Sequence, residues 1–440
     1  MNTADIKTDA DAPSPGRLTR LFIPLAVQAA SQSLCYPLVA MVAMRGVNGP
    51  SDLAGLAQSN TVLFFLGMFA ISLVPTGMVY ARTREGYRRF HRLSLVIGTL
   101  AGAVQALLCI PSASHFLFGR LIGLPPAMEA SAQVSLLASI PLQVLFFSRI
   151  PYFVAMYVGQ ATGIASLATI GRVAFTALLA PLFCLFGAVG PVWAVVALTL
   201  PVGLEAVVSG VFARRFIRQL PEGVEAPPAV RDILRFNFPL TVGGYFLSLA
   251  TIGVAGFIAR APEPEVVLPV YYLVLGLANP VAFAATRMQT ITLMFPPTGP
   301  VRRQTLRFSI GAGLILGLIP LAFILPGAAE LYYVRLQNLD PQHLGIVRRT
   351  AIALLLFPLA VALRAQVEGV AAYLRRSASV LIGHAALLVT IGAFGMLTLA
   401  LNLPGYLIGA VCLTMGSAAS SATMRLNLRL SGAPGLKQVV

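Results

Sequence analysis

The chain has 440 residues, of which 57% are hydrophobic and only 10% are charged, and its mean hydropathy is +0.83. A chain this apolar is not a soluble globular protein, and it is too long for a single anchor, so the composition predicts a polytopic membrane protein. The formal net charge is +16, and 29 of the 31 basic residues are arginine. In a membrane protein this excess reports loop topology, and nucleic acid is not an expected partner.

Runs of about 20 apolar residues, bounded by charge, proline or glycine, predict twelve transmembrane helices. The predicted fold class is therefore all-α, with six helices in each half of the chain. The predicted spans are 18–44, 53–81, 91–111, 130–157, 164–186 and 190–213, followed by 234–259, 266–296, 306–327, 346–373, 378–401 and 404–425.

The distribution of arginine between successive loops predicts the orientation. Arginines crowd the loop at 82–92, the mid-chain segment at 214–231, the loop at 302–307 and the segments at 375–376 and 425–429, whereas the alternate loops hold far fewer. By the positive-inside rule, both termini should be cytoplasmic. The expected location is the bacterial inner membrane, with membrane lipids as partners and a monomer as the expected state.

The two halves repeat each other at an offset of 215 residues. The stretch RLFIPL at 20–25 returns as RFNFPL at 235–240, Arg45 corresponds to Arg260, and Arg149 corresponds to Arg364. Several matches at one offset indicate a duplication, and parallel repeats of this kind are typical of transporters that bind substrate between two lobes. We predict a disordered tail over 1–16, an N-lobe over 17–213, a linker over 214–232, a C-lobe over 233–426 and a tail over 427–440.

Four arginines fall within predicted spans, against only two glutamates deep in spans. A charge facing lipid costs several kcal/mol, so each of these side chains should face protein or a cavity. Because guanidinium groups bind carboxylate and phosphate in a bidentate manner, the excess of arginine predicts a binding site for an anion. The four arginines are Arg149, Arg172, Arg287 and Arg364, and the two glutamates are Glu205 and Glu368.

Arg364 and Glu368 lie four residues apart on one helix face, near the centre of the run 355–376. They are either part of a substrate or gating site or a structural ion pair. We predict that Arg149 and Arg364 face a cavity between the lobes as a symmetric pair, because they occupy equal depths. For Arg172 and Glu205 a position near a helix end, with the polar group reaching out, is the simpler interpretation.

Further polar candidates complete the predicted substrate site. Arg287 follows the break at Asn279–Pro280, and the first span offers Gln28 and Gln32 but no acidic residue. His384 is expected to hydrogen-bond within its bundle, with a proton relay as the alternative.

Four cysteines lack the spacing of a metal site or a disulfide framework, so neither is predicted. The chain also lacks a Walker loop, HExxH and G-x-S-x-G, so we expect no enzyme activity, no cofactor and no metal site. No cleavable signal region precedes the first span, so that span itself would direct insertion.

Several short motifs give the sequence a family resemblance. They are Phe357-Pro358 followed by Arg364-Ala365 and Gly369, glycines from Gly405 to Gly416, Gly77-Met78-Val79-Tyr80 before an arginine run, Phe238-Pro239-Leu240, Asn279-Pro280-Val281 and Phe295-Pro296. In these the chain resembles the multidrug/oligosaccharidyl-lipid/polysaccharide (MOP) exporter superfamily, and within it the progressive ankylosis (Ank) family.

The resemblance implies two six-helix lobes and a secondary transporter or exporter of anions of the citrate, pyrophosphate or nucleotide class. Arg364 matches an arginine of the Ank pattern, whereas Glu368 departs from it. The alternatives are a MATE-type drug/cation antiporter, which usually relies on an acidic residue in the first span, and a flippase for polyprenyl diphosphate-linked oligosaccharides. The expected ligand is thus a small-molecule anion or an anionic lipid.

Overall fold

A computed structural model describes residues 12–32, 35–122, 124–222, 228–258, 260–336 and 339–431. Over these residues the chain is helical and forms no β-strand. The helices belong to two compact units. The N-terminal unit is Ala30–Asn237, and the C-terminal unit joins Met1–Ala29 to Phe238–Val440.

The N-terminal unit consists of long apolar helices joined by short turns, most of which contain proline or glycine. Its helices are the end of α1 (Pro15–Gln32), α2 (Cys35–Met44), α3 (Pro50–Tyr80), α4 (Arg84–Leu108), α5 (Pro111–Ser114), α6 (Pro126–Ala138), α7 (Ile140–Ser148), α8 (Ile150–Val158), α9 (Thr162–Leu185), α10 (Pro191–Gln219) and the beginning of α11 (Val230–Ile258). A π-helical turn, His115–Leu121, follows α5.

The C-terminal unit has the same succession of elements. It contains the beginning of α1, the rest of α11, α12 (Pro264–Thr286), α13 (Met288–Leu293), α14 (Gly299–Ala322), α15 (Pro326–Ala329), α16 (Leu344–Ala353), α17 (Phe357–Tyr373), α18 (Ser377–Ala400) and α19 (Gly405–Leu430). A second π-helical turn, Glu330–Leu336, follows α15, and a 3-10 turn, Pro341–His343, precedes α16.

The repeat predicted from the sequence extends to single element boundaries. Shifted by 215 residues, α9 has the same first and last residue as α18, α5 the same as α15, and the first π-helical turn the same as the second. Helix α14 begins 215 residues after α4. Two copies of one helical unit therefore account for the secondary structure of the whole described chain.

Ten helices among the described residues are long and apolar enough to cross a membrane. The two other predicted spans are α1 with α2, and α12 with α13, each of which consists of two consecutive helices. The chain is thus an all-helical, multi-pass membrane protein with the predicted two sets of six. The short helices and π-helical turns after α4 and α14 were not predicted, because their apolar residues continue the pattern of the preceding span.

The unit boundaries differ from the predicted lobes. Residues up to Ala29 group with the C-terminal unit, and α11 up to Asn237 groups with the N-terminal unit. In the latter case the cause is packing: Phe236 stacks edge-on against Tyr80, and the amide of Asn237 donates to the hydroxyls of Ser72 and Thr76 at 3.0 Å.

Helices also extend into the predicted linker and tails. Helix α10 continues to Gln219 and α11 begins at Val230, so residues 220–229 connect them, and residues 223–227 lie outside the described residues. The reason is that arginine is a good helix former whose long side chain reaches polar surroundings from a helix end. Likewise α1 begins at Pro15 and α19 ends at Leu430, while residues 1–11 and 432–440 of the predicted tails are not described.

The arginine-rich loops of the N-terminal unit lie on one side. The backbone N–H of Arg84 donates to the carbonyl of Pro221 at 3.0 Å, and its guanidinium pairs with Glu222 at 2.9 Å. At the opposite ends of the helices, the N–H of Gly190 donates to the carbonyl of Val42 at 2.9 Å. The segments grouped by their charge are therefore neighbours in space, which agrees with the predicted alternation.

Two equivalent glycine pairs allow close helix contacts, as expected from Gly-x-x-x-Gly spacing. A Cβ at Gly98 would lie 2.6 Å from Cβ of Phe147, and one at Gly313 would lie 2.6 Å from Cα of Leu359. Helix α4 therefore packs against α7, and α14 against α17, at distances that a side chain would not permit.

We expect Gly313→Ala to destabilise the protein by about 1–3 kcal/mol, because the new methyl group meets backbone that has to move. Gly311→Ala is the matched control on the same helix, since a Cβ there meets nothing within 4 Å. The control should be neutral or more stable by up to about 1 kcal/mol, given the helix propensity of alanine. Thermal unfolding in detergent measures both, and equal melting temperatures for the two variants would contradict the packing argument.

Candidate functional site

The intramembrane arginines lie in two buried clusters, one in each unit. In the N-terminal unit, Arg149, Arg172 and Glu205 come together from three consecutive segments of the chain. In the C-terminal unit, Arg364, Glu368 and His384 come together from α17 and α18. Each cluster contains one member of the symmetric arginine pair predicted from the sequence.

Arg149 occupies the turn between α7 and α8, and proline causes that turn. Pro151 has no N–H to offer to the carbonyl of Phe147, which instead accepts a hydrogen bond from the hydroxyl of Ser94 at 2.8 Å. The polar group freed by the helix break is thus satisfied by α4. This interruption positions the guanidinium of Arg149 at the side of α10.

Glu205 on α10 is the centre of the N-terminal cluster. Its side chain is fully buried, its Oε2 accepts a hydrogen bond from Nη1 of Arg149, and Nε of Arg172 lies 3.6 Å from the same oxygen. The guanidinium of Arg149 also lies over the ring of Phe146, 5.0 Å from its centroid. Nε and Nη2 of Arg172 are buried without a hydrogen-bond partner among the described residues.

Two guanidinium groups therefore share one carboxylate, which leaves the N-terminal cluster with a net positive charge. The expectation that Arg172 and Glu205 reach out from helix ends is wrong, since both side chains are buried beside Arg149. The sequence offered a signal, namely the scarcity of carboxylates in the spans: a buried Arg149 needs a counter-charge, and Glu205 is the one acid deep in a span of that half.

The C-terminal cluster is built on a single helix turn and one residue of α18. Nε of Arg364 lies 3.1 Å from Oε1 of Glu368, and the same oxygen is 2.8 Å from Nε2 of His384. Nδ1 of His384 is buried without a hydrogen-bond partner among the described residues and abuts Gly243 of α11. The structural alternative for Arg364 and Glu368, an ion pair, is thus present, and His384 hydrogen-bonds within its bundle as predicted.

The remaining predicted site residues are not in either cluster. Arg287 caps α12, its Nε is buried without a partner, and its guanidinium makes no hydrogen bond or ion pair with any described residue. Asn279 lines a small, mostly apolar pocket of about 60 Å³ in the C-terminal unit, together with Tyr271, Tyr272 and Phe357. Gln28 is buried, and the side chain of Gln32 lies outside the described residues.

Arg149 and Arg364 were predicted to face a common cavity as unpaired cations. Each is instead ion-paired within its own unit and has a largely buried side chain. Their equal positions in the two repeats are retained, but the carboxylate comes from α10 in one unit and from α17 in the other. No group of three His, Cys, Asp or Glu residues in the described chain lies close enough to hold a metal ion.

Solved structures with a similar fold are MATE transporters and other members of the MOP superfamily. A mutant of the MATE transporter VcmN from Vibrio cholerae has a TM-score of 0.76 at 16% identity, over 94% of this chain and 97% of that one. An outward-facing multidrug resistance MATE family transporter has a TM-score of 0.76 at 17% identity, over 95% and 96%.

A MOP superfamily transporter from Pyrococcus furiosus has a TM-score of 0.71 at 16% identity, over 95% of this chain and 96% of that one. For that protein, reverse polarity of the binding pocket has been taken to suggest a different function. No family model and no curated protein matches the chain. The chain therefore has the fold of MATE-type transporters.

We expect Glu205→Gln to destabilise the protein by about 3–5 kcal/mol, because it leaves two buried guanidinium groups without a counter-charge. Glu222→Gln is the control, since it removes a carboxylate from an ion pair whose glutamate is 84% exposed. That change should cost no more than about 1 kcal/mol. Melting temperatures in detergent provide the comparison, and a Glu205→Gln variant as stable as the control would show that the cluster does not depend on its carboxylate.

Proposed function

We propose that the protein is a secondary transporter of an anionic small molecule and works by alternating access. The fold supports transport, because the solved structures of this shape over nearly the whole chain are transporters. The excess of buried guanidinium over carboxylate supports the charge of the substrate. Of these observations, the unpartnered guanidinium of Arg287 weighs most.

The argument from Arg287 rests on the cost of an uncompensated charge. A guanidinium inside a membrane protein is stabilised by a carboxylate, by carbonyl oxygens or by water. Arg287 has none of the first two among the described residues, while Arg364 on α17, a helix that packs against both α12 and α13, is already neutralised by Glu368. A bound anion would supply the missing counter-charge at Arg287.

The N-terminal unit supplies a second uncompensated guanidinium. Glu205 is shared by two arginines, and Arg172 is the more distant of them. Each unit thus contains one more intramembrane arginine than carboxylate within the groups just described. A substrate with more than one negative charge, such as citrate, pyrophosphate or a nucleotide, fits this distribution better than an organic cation does.

Two other substrate classes differ from this proposal in their chemistry. A MATE-type cation antiporter would bind organic cations, and a lipid-linked oligosaccharide flippase would bind a polyprenyl diphosphate. The reversed pocket polarity described for the Pyrococcus furiosus protein indicates that this fold can accommodate more than one charge type. The Ank-like substrate class, derived from the sequence motifs, remains part of the proposal.

We predict that the purified protein binds citrate, pyrophosphate or a nucleotide and does not bind cationic dyes. Arg287→Gln should weaken anion binding at least tenfold without loss of stability, because the native guanidinium has no protein partner to lose among the described residues. Arg307→Gln, an exposed arginine of the same unit, is the control and should bind as the wild type does. Isothermal titration calorimetry measures the affinities.

A double variant tests Arg364 separately. Arg364→Gln alone would strand a buried carboxylate, whereas Arg364→Gln with Glu368→Gln removes both charges and leaves an amide beside His384. If Arg364 contacts the substrate, the folded double variant should lose affinity, and Glu368→Gln alone should retain it. Binding of organic cations only would defeat the anion proposal, and binding of polyprenyl diphosphate only would favour the flippase.

We further propose that the arginine-rich side, with both termini, faces the cytoplasm of a bacterial cell. A single cysteine at Arg88, in a background without Cys35, Cys109, Cys184 and Cys412, should be labelled by a membrane-impermeant maleimide only after the inner membrane is opened. A cysteine at Arg120, in the alternate loop, is the control and should be labelled in intact spheroplasts. The reverse pattern would invert the orientation.

A further inference from the structure

The basic end of the C-terminal unit has no acidic residue of its own to balance it. The stretches 266–329 and 369–440 together contain eight arginines and no aspartate or glutamate. In the N-terminal unit the corresponding end contains Glu85, Glu222 and Asp232, and Glu222 forms an ion pair with Arg84. The two repeats therefore differ in how their arginines are compensated.

Three of these arginines form a group at the junction of α14 and α19. Arg302 in the first turns of α14 lies close enough to Arg425 and Arg429, near the end of α19, for the three charges to repel one another. Nη2 of Arg425 is buried without a hydrogen-bond partner in the described part of the chain. None of the three guanidinium groups forms a hydrogen bond or an ion pair with a residue that the structure describes.

The beginning of α14 differs from that of its repeat partner α4 in a way that favours an anion. Thr83 caps α4 by accepting from the N–H of Gly86 at 3.2 Å, and Glu85 provides an acid in the first turn. The equivalent Thr298 makes no such bond, and the first turn of α14 contains no acid. The positive end of a 24-residue helix thus adds to the arginine group instead of being neutralised.

This arrangement is unfavourable unless an anion is present. Cations are disfavoured at a helix N-terminus, like charges repel, and a buried guanidinium nitrogen without a partner loses its hydration. Arginine forks match the oxygens of a phosphate group, and the free N–H groups of a helix N-terminus bind phosphate as well. A phosphate group would relieve all three costs at once.

We propose that Arg302, Arg425 and Arg429 form a phosphate-binding site that holds the headgroup of an anionic phospholipid. The lipid is the favoured source of phosphate because α14 and α19 are both candidate membrane spans, and their arginine-bearing ends would lie at the level of the headgroups. The site is separate from Arg287 and Arg364 and does not depend on what the protein transports.

The test uses the full-length protein, delipidated in a neutral detergent, and its apparent melting temperature. Phosphatidylglycerol should raise the wild-type melting temperature by about 3–6 °C relative to phosphatidylcholine, as expected for a ligand that binds only the folded state. Replacing Arg302, Arg425 and Arg429 together by glutamine should abolish this shift. Without lipid, the same variant should melt no lower than the wild type, because mutual repulsion has been removed.

Exposed arginines of the N-terminal unit provide the matched control, with Arg88, Arg92 and Arg214 replaced together by glutamine. This control should keep the full shift. An absent shift in the wild type, or an undiminished shift in the first variant, would overturn the proposal. If pyrophosphate without lipid produces the whole shift, the phosphate site is supported and the lipid source is wrong. If the triple variant is unstable, Arg425→Lys serves instead and should reduce the shift, since lysine lacks the fork.

Discussion

The structure depends on the cost of placing a guanidinium among apolar helices. An arginine at that depth is far more stable beside a carboxylate than alone, and breaking such a pair costs about 3–5 kcal/mol. Arg149 and Arg364 meet this requirement inside their own units, through Glu205 and Glu368. The pairs fix how α7 and α8 lie against α10, and they leave Arg172 and Arg287 as the intramembrane cations with charge to offer a ligand.

Charge compensation also distinguishes the two repeats, although their helices begin and end at equivalent residues. The N-terminal unit concentrates its surplus charge in the cluster around Glu205, while its basic end contains acids. The C-terminal unit neutralises Arg364 locally and leaves its basic end uncompensated. Two copies of one fold thus present their free positive charge at different levels, which permits one unit to favour a transported anion and the other a membrane lipid.

Much of the fold follows from the sequence because apolar length and arginine position are strong local signals. The spans, the repeat offset and the grouping of the basic segments all agree with the structure. The partners of buried charges were harder to predict, because they depend on the rotation of helices about their axes. Glu205 was assigned to a helix end from its distance along α10, whereas its actual surroundings are set by α7, α8 and α9. The division of α1 and α11 between units likewise depends on packing that no local pattern reveals.

The source of each carboxylate affects how the two clusters respond to movement within their units. Glu368 and Arg364 are one turn apart on the same helix, so any displacement of α17 moves both together and the ion pair survives. Glu205 and Arg149 belong to different helices, so sliding or rotating α10 relative to α7 and α8 would separate them. The N-terminal cluster is therefore mechanically sensitive where the C-terminal cluster is rigid, and a strained or sheared N-terminal unit would transfer its carboxylate from Arg149 towards Arg172.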